Sequence, residues 1–226
     1  MKHYMKLIIF LILSTIFIAN GFSRHRIVIM TDFPPADVIP GGLGFGPADK
    51  RSDSDDVQSM VRFLLYSNCF EVEGLVATSA TFANVANKQN IFDILYLYDH
   101  VYENLYRHNQ LYPSADKLRS VTWQGNSGTW GRPASEIIGQ GRDSEASEKI
   151  IDLLEQEDQR PIWFSIWGGS CDLAQALWKI RETLTPAEAN ELLKKIRIYM
   201  IGLQDGSGQW MLDTFPELFI IMSAGN

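Results

Sequence analysis

Short β-rich apolar runs alternate with helical segments along most of this chain, and that alternation constrains the fold more than any other feature. RIVIM at 26–30 and VEGLVAT at 72–78 are almost continuously apolar, as in strands buried on both faces. Residues 161–167 (PIWFSIW), 196–201 and 218–222 read as further strands. A helix is predicted over 55–67, with Val57, Met60, Val61, Leu64 and Leu65 on one face. Others are predicted over 84–106, over 144–157 and from Ser170, which reads as a helix cap. Thr185-Pro186-Ala187-Glu188 is a capping box with proline at the first helical position, so one more helix starts there. The order predicts an α/β fold: a mainly parallel sheet with helices on both faces. Ligands of such sheets bind beyond the carboxyl ends of the strands.

Residues 1–23 read as a signal peptide and 24–226 as one domain. Lys2 and Lys6 form a basic start, and 7–19 is an apolar run too short to span a bilayer as a helix. Ala19 and Gly21 supply the small residues of a cleavage site near Gly21. The expectation is a secreted or periplasmic protein without a stable membrane anchor; the alternative is an uncleaved N-terminal anchor. Export would permit a disulfide between Cys69 and Cys171, but they are read at opposite ends of the sheet, so two free, partly buried thiols are expected. Without Lys2 and Lys6 the body carries 18 basic against 27 acidic residues, a formal charge of -9. That balance argues against nucleic acid and favours a neutral substrate or a bound cation.

Chemistry concentrates in two acidic clusters. Thr31-Asp32 closes the first strand, and Ser52-Asp53-Ser54-Asp55-Asp56 opens the next helix, so both fall at the strand-end edge. A helix N-terminus favours each nearby carboxylate by only about 0.3–1 kcal/mol, too little to hold Asp32 beside Asp55 and Asp56. A divalent cation with oxygen ligands would hold all three. The simpler alternative is capping by Asp53 or Ser54, with Asp32 as a turn residue. Between the clusters, 34–52 is a loop with four prolines and four glycines. Its Gly41-Gly42-Leu43-Gly44-Phe45-Gly46 lacks the Lys-Ser/Thr of a phosphate loop.

Thr-Asp after strand one, then DDVQSMVRFLLYSNCFEVEGLVATSA at 55–80, resembles the nucleoside-hydrolase-like family. The nearest branch is that of cellulose-binding proteins from bacterial polysaccharide degraders. SIWGGSCDLAQAL at 165–177 and IRIYMIGLQDGSGQWMLDTFPELFII at 196–221 continue the resemblance. It implies that Asp32, Asp56 and the Trp167 carbonyl bind calcium, that Asp32 is also the general base, and that Asp55 binds sugar hydroxyls. The implied activity is calcium-dependent hydrolysis of an N-glycosidic or related glycosyl bond, on a nucleoside or a glycan. A non-catalytic glycan-binding module and an inactive truncated homologue are the alternatives. Asp32 and Asp55 stand 23 positions apart, and the family's late calcium aspartate and histidine have no counterpart before Asn226, so the resemblance implies a C-terminally incomplete domain.

Thr81 and Asn84 after the second strand, and Asp205, Trp210 and Asp213 after the 196–201 strand, are candidate sugar contacts. Loop polarity accounts for the latter three equally well. His25, His100 and His108 fall at a strand start and along a helix, and are read as surface or core residues.

Overall fold

A computed structural model of the chain describes residues 23–32, 54–79 and 84–223. The leader, the 34–52 loop and Thr81 lie outside them, as do Ser52, Asp53 and the Ser54 side chain.

Six strands form one parallel sheet: β1 (His25–Thr31), β2 (Phe70–Ala77), β3 (Thr122–Gln124), β4 (Ile162–Ile166), β5 (Ile196–Met200) and β6 (Phe219–Met222), in the order β3-β2-β1-β4-β5-β6. The fold is therefore α/β as predicted, with all six described strands parallel. β1 is central and covered on both sides. Ile27 and Ile29 face one helical layer, made by α1 (Ser54–Leu65), α2 (Lys88–His108) and α3 (Ala115–Ser120). Val28 and Met30 face the other, made mainly by α5 (Glu145–Leu154), α6 (Cys171–Thr183), α7 (Pro186–Leu193) and α8 (Gly206–Thr214). A short α4 (Ala134–Ile137) follows β3. This two-sided burial explains why β1 reads as an unbroken apolar run.

Local chemistry sets the element ends. The Thr185–Glu188 capping box forms as predicted, and Ser144 makes a second box with Ser147. The predicted 84–106 helix begins later, at Lys88: Asn84 takes a positive φ of 51°, and the Asn87 side chain caps the helix by accepting from the Gln89 amide. β3 escapes the sequence because three residues carry no readable period. α8 escapes it because two glycines, Gly206 and Gly208, fall in its first turn. Cys69 and Cys171 are both free thiols, as expected, but neither is partly buried: Cys69 is exposed and Cys171 fully buried. No helix among the described residues is long and apolar enough to cross a membrane.

β1 connects onward to β2, yet its other neighbour is β4. The strand order reverses between β1 and β4, and the crevice at such a reversal, beyond the carboxyl ends, is where this architecture takes ligands.

Candidate functional site

β1 ends at that reversal with Thr31 and Asp32, and α1 returns to it with Asp55 and Asp56 in its first turn. The Thr31 hydroxyl donates to Asp56 Oδ2 at 2.8 Å, so residues 25 positions apart close one site. Asp32 is 2% exposed and Asp56 6%, whereas Asp55 is open to solvent. Burial pushes the Asp56 carboxyl above its ordinary value. The Thr31 hydroxyl and the Asp32 backbone and side chain pull it back, while Asp55 pushes it further up. Asp56 thus sits among Thr31, Asp32 and Asp55, none of them cationic.

Opposite, β4 runs into Trp167-Gly168-Gly169. The Trp167 amide donates to Met30 O at 2.8 Å, pinning this turn to β1. A Cβ on Gly168 would lie 2.6 Å from Asp32 Oδ1, and one on Gly169 would lie 2.2 Å from Ser79 O and 2.7 Å from Asp205 Oδ2. Glycine at both positions is what lets the turn approach the acids. Gly169→Ala is expected to cost about 1–3 kcal/mol, since its methyl meets backbone that cannot rotate away. Gly168→Ala presses on a side chain instead and should displace Asp32 with less loss of stability. Urea unfolding of both variants checks the order, and Gly169→Ala within about 0.5 kcal/mol of wild type would contradict it.

The donor set fits calcium in kind: carboxylates from Asp32 and Asp56 and the Trp167 carbonyl are hard oxygen ligands. It is short in number. Among the described residues, no three His, Cys, Asp or Glu side chains group as a metal site. The Trp167 carbonyl accepts a hydrogen bond from the Gln204 amide, and a carbonyl has a second lone pair. These three groups would make up a partial shell, to be completed by water and ligand.

The other candidates scatter. Asp205 is buried and caps α8, its Oδ1 accepting from the Ser207 amide at 2.9 Å and from the Ser207 hydroxyl. Asn84 braces a neighbouring loop, accepting from the Trp130 amide at 3.0 Å through Oδ1. Trp210 packs on Phe215 and beneath the Arg181 guanidinium, and Asp213 accepts from Gln209. Arg181 lies ten residues along α6 from Cys171, about 15 Å from the strand-end edge, so Trp210 is not brought to Asp32. Ser170 occupies the cap position of α6 but makes no capping bond; its hydroxyl pairs with Ser207 at 2.7 Å, correcting the sequence reading.

Sequence reasoning missed Asp172, which is fully buried at the start of α6. Its Oδ1 accepts from the Asn126 amide at 2.9 Å and the Ser144 hydroxyl at 2.7 Å, tying three loops together. Burial pushes its carboxyl up to about 6, against the pull of Ser144, Asn126 and Thr78. The available signal was an acid directly after a Gly-Gly-Ser turn at a strand end. Gln204 was missed as well; a loop amide carries no pattern.

Residues 46–226 match the family model described as "Cellulose-binding Sde182, nucleoside hydrolase-like domain". The chain belongs to this family. A solved structure of a nucleoside hydrolase-related hypothetical protein from Saccharophagus degradans, associated with carbohydrate metabolism, is similar at 32% identity and a TM-score of 0.75. The similarity covers 88% of this chain but 44% of that one, so this chain spans less than half of its solved relative. No curated protein matches.

Proposed function

We propose that this member of the Sde182 nucleoside hydrolase-like family is an exported, calcium-dependent domain that takes a glycosyl ligand in the β1–β4 crevice and hydrolyses its glycosyl bond. One observation carries the reading: two acidic clusters separated by 23 positions converge at the reversal point, with Asp32 and Asp56 buried side by side. Asp32, Asp56 and the Trp167 carbonyl would hold the cation. Calcium, when bound there, supplies positive charge that accepts vicinal sugar hydroxyls and acidifies water.

The chain's own groups do the rest. Asp32 takes the proton of the water attacking the anomeric carbon; the bond to the leaving group breaks, and solvent water protonates the departing group. Asp55, solvent-facing in the first turn of α1, accepts hydrogen bonds from sugar hydroxyls. The clustered carboxylates favour the positive charge that develops on an oxocarbenium-like sugar. The family's cellulose-binding description and the carbohydrate association of the solved relative support a glycan over a free nucleoside. The acidic body supports a ligand other than nucleic acid.

Binding without cleavage is the second reading, favoured by the histidines. His25 starts β1, at the opposite end from Asp32, and His100 and His108 are exposed on α2. None of these imidazoles reaches the crevice to protonate a leaving group. The two readings separate on Asp32→Asn with cello-oligosaccharides and purine and pyrimidine nucleosides in calcium. Hydrolysis by wild type that falls at least 100-fold in the variant supports catalysis (a general base contributes about 10²–10⁴-fold). Calcium-dependent binding with no product supports the second reading. Neither binding nor product defeats both.

A further inference from the structure

Beside the crevice, above β3, Asn126, Thr129, Arg132, Glu136 and Arg142 line a cleft of about 120 Å³. Larger cavities lie elsewhere: one of about 880 Å³, for example, is lined by α7 and the amino ends of β5 and β6. From this cleft, resting on the glycan reading above, we infer that the ligand is an acidic glycan, one of whose uronate carboxylates is held by Arg142 and Arg132.

Most of the neutral donors in the walls are committed to internal bonds. The Asn126 amide donates to buried Asp172, and its side-chain nitrogen donates to Arg142 O at 2.7 Å. The Thr129 hydroxyl donates to Ser79 O at 2.7 Å. Arg132 gives its Nε to Glu136 at 3.1 Å and keeps its two terminal nitrogens. Among the described residues, no acid or acceptor engages the Arg142 guanidinium. Its neighbour Asp143 is instead taken by Lys179 and Gln175, each at 2.7 Å. What remains cationic is the Arg142 guanidinium and the two terminal nitrogens of Arg132, the latter beside the Glu136 carboxylate, in a protein whose formal charge is -7. Planar guanidinium groups of this kind match carboxylates.

The cleft is also held open by its backbone. Every positive-φ residue among those described falls in the loops around it: Asn84, Gly128, Gly131, Gly139 and Gly141. Asp172 and Gln175 tie those loops down from beneath, and Gly206 lets α8 close on Arg132 O, where a Cβ would stand at 2.6 Å. Trp130, 48% exposed beside the cleft, offers a ring to the apolar face of a sugar.

Position selects an oligomer. β3 is two strands, about 10 Å, from β1, so the cleft and Asp32 lie at separate points along the strand-end edge. Between them Gly169, Thr78, Ser79 and Thr129 are bonded to one another in a buried floor. Only an extended ligand touches both ends.

Titration calorimetry of the purified protein in calcium tests this with an oligouronide, the neutral cello-oligosaccharide of equal length, and inorganic phosphate. The oligouronide is expected to bind at least tenfold more tightly than the neutral chain, with affinity falling as salt rises. Arg142→Ala should remove that advantage, with a smaller loss of neutral binding; Arg142→Lys should restore only part of it, because the fork is lost. Asp56→Asn should weaken both oligosaccharides and keep the acidic preference. Equal affinity for the two oligosaccharides, or an Arg142→Ala protein that keeps the preference, overturns the proposal. Phosphate that competes as well as the oligouronide makes this a general anion site and also overturns it. Loss of neutral binding in wild type, with Arg142-dependent uronate binding intact, would instead sink the calcium-crevice reading and spare this one.

Discussion

Calcium at millimolar concentration is expected to raise the melting temperature by about 5–10 °C, and Asp56→Asn to abolish the rise. Asp32 and Asp56 are 2% and 6% exposed, and ionising both in one crevice is costly without a cation. A ligand present at one hundred times its dissociation constant stabilises the folded state by about 2.7 kcal/mol. For a domain of this size each kcal/mol moves the midpoint by about 2–4 °C, which sets the range. Magnesium should do less, since it demands near-ideal octahedral geometry that a partial shell does not offer. Asp55→Asn should keep most of the calcium response, because Asp55 faces solvent, and lose sugar affinity instead. Scanning calorimetry of the three proteins with each ion decides. A flat wild-type response, or a full response in Asp56→Asn, means the two clusters do not form a cation site.

In calcium-free buffer the fold should lose stability as pH rises from about 4 to 6, largely through Asp172. Burial raises its folded carboxyl to about 6 from an ordinary 3.8. Between those values the folded state holds a proton that the unfolded chain has released, so stability falls with rising pH and levels off above about 6. A shift of this size corresponds to about 3 kcal/mol. Burial raises Asp56 and Asp205 as well, so they add loss of the same sign. Asp172→Asn should flatten the profile, since its carbonyl can still accept from the Asn126 amide and the Ser144 hydroxyl. Urea midpoints across this pH range, without calcium, make the comparison. Stability that rises with pH, or a variant with the wild-type slope, removes Asp172 from the account.

Asp172 also marks the limit of what could be read beforehand. Short-range chemistry was legible wherever residues within one turn or strand decide the outcome. RIVIM announced a strand covered on both faces, and Ile27 and Ile29 do face one layer while Val28 and Met30 face the other. Thr185 and Glu188 announced a helix start, and the box is there. Asp32 and Asp56 could be named as candidates because strand-end and helix-start positions are local properties, and in a parallel sheet both fall at one edge.

Which of the edge residues meet was decided only by the tertiary structure. The reversal between β1 and β4 depends on a strand pairing more than 130 positions apart, and no local pattern encodes it. That pairing brings Gly168 against Asp32 and leaves Asp172 buried beneath the loops. Asp205 shows the same limit: it had the composition of a sugar contact, and the turn into α8 made it a buried cap. Trp210 was an aromatic in the right segment, and helix phase turned it onto Phe215 and Arg181. The sequence determined which groups could reach the strand-end edge. Packing, through close approaches that only glycine permits and loops that only long-range pairing places, determined which of them share a site.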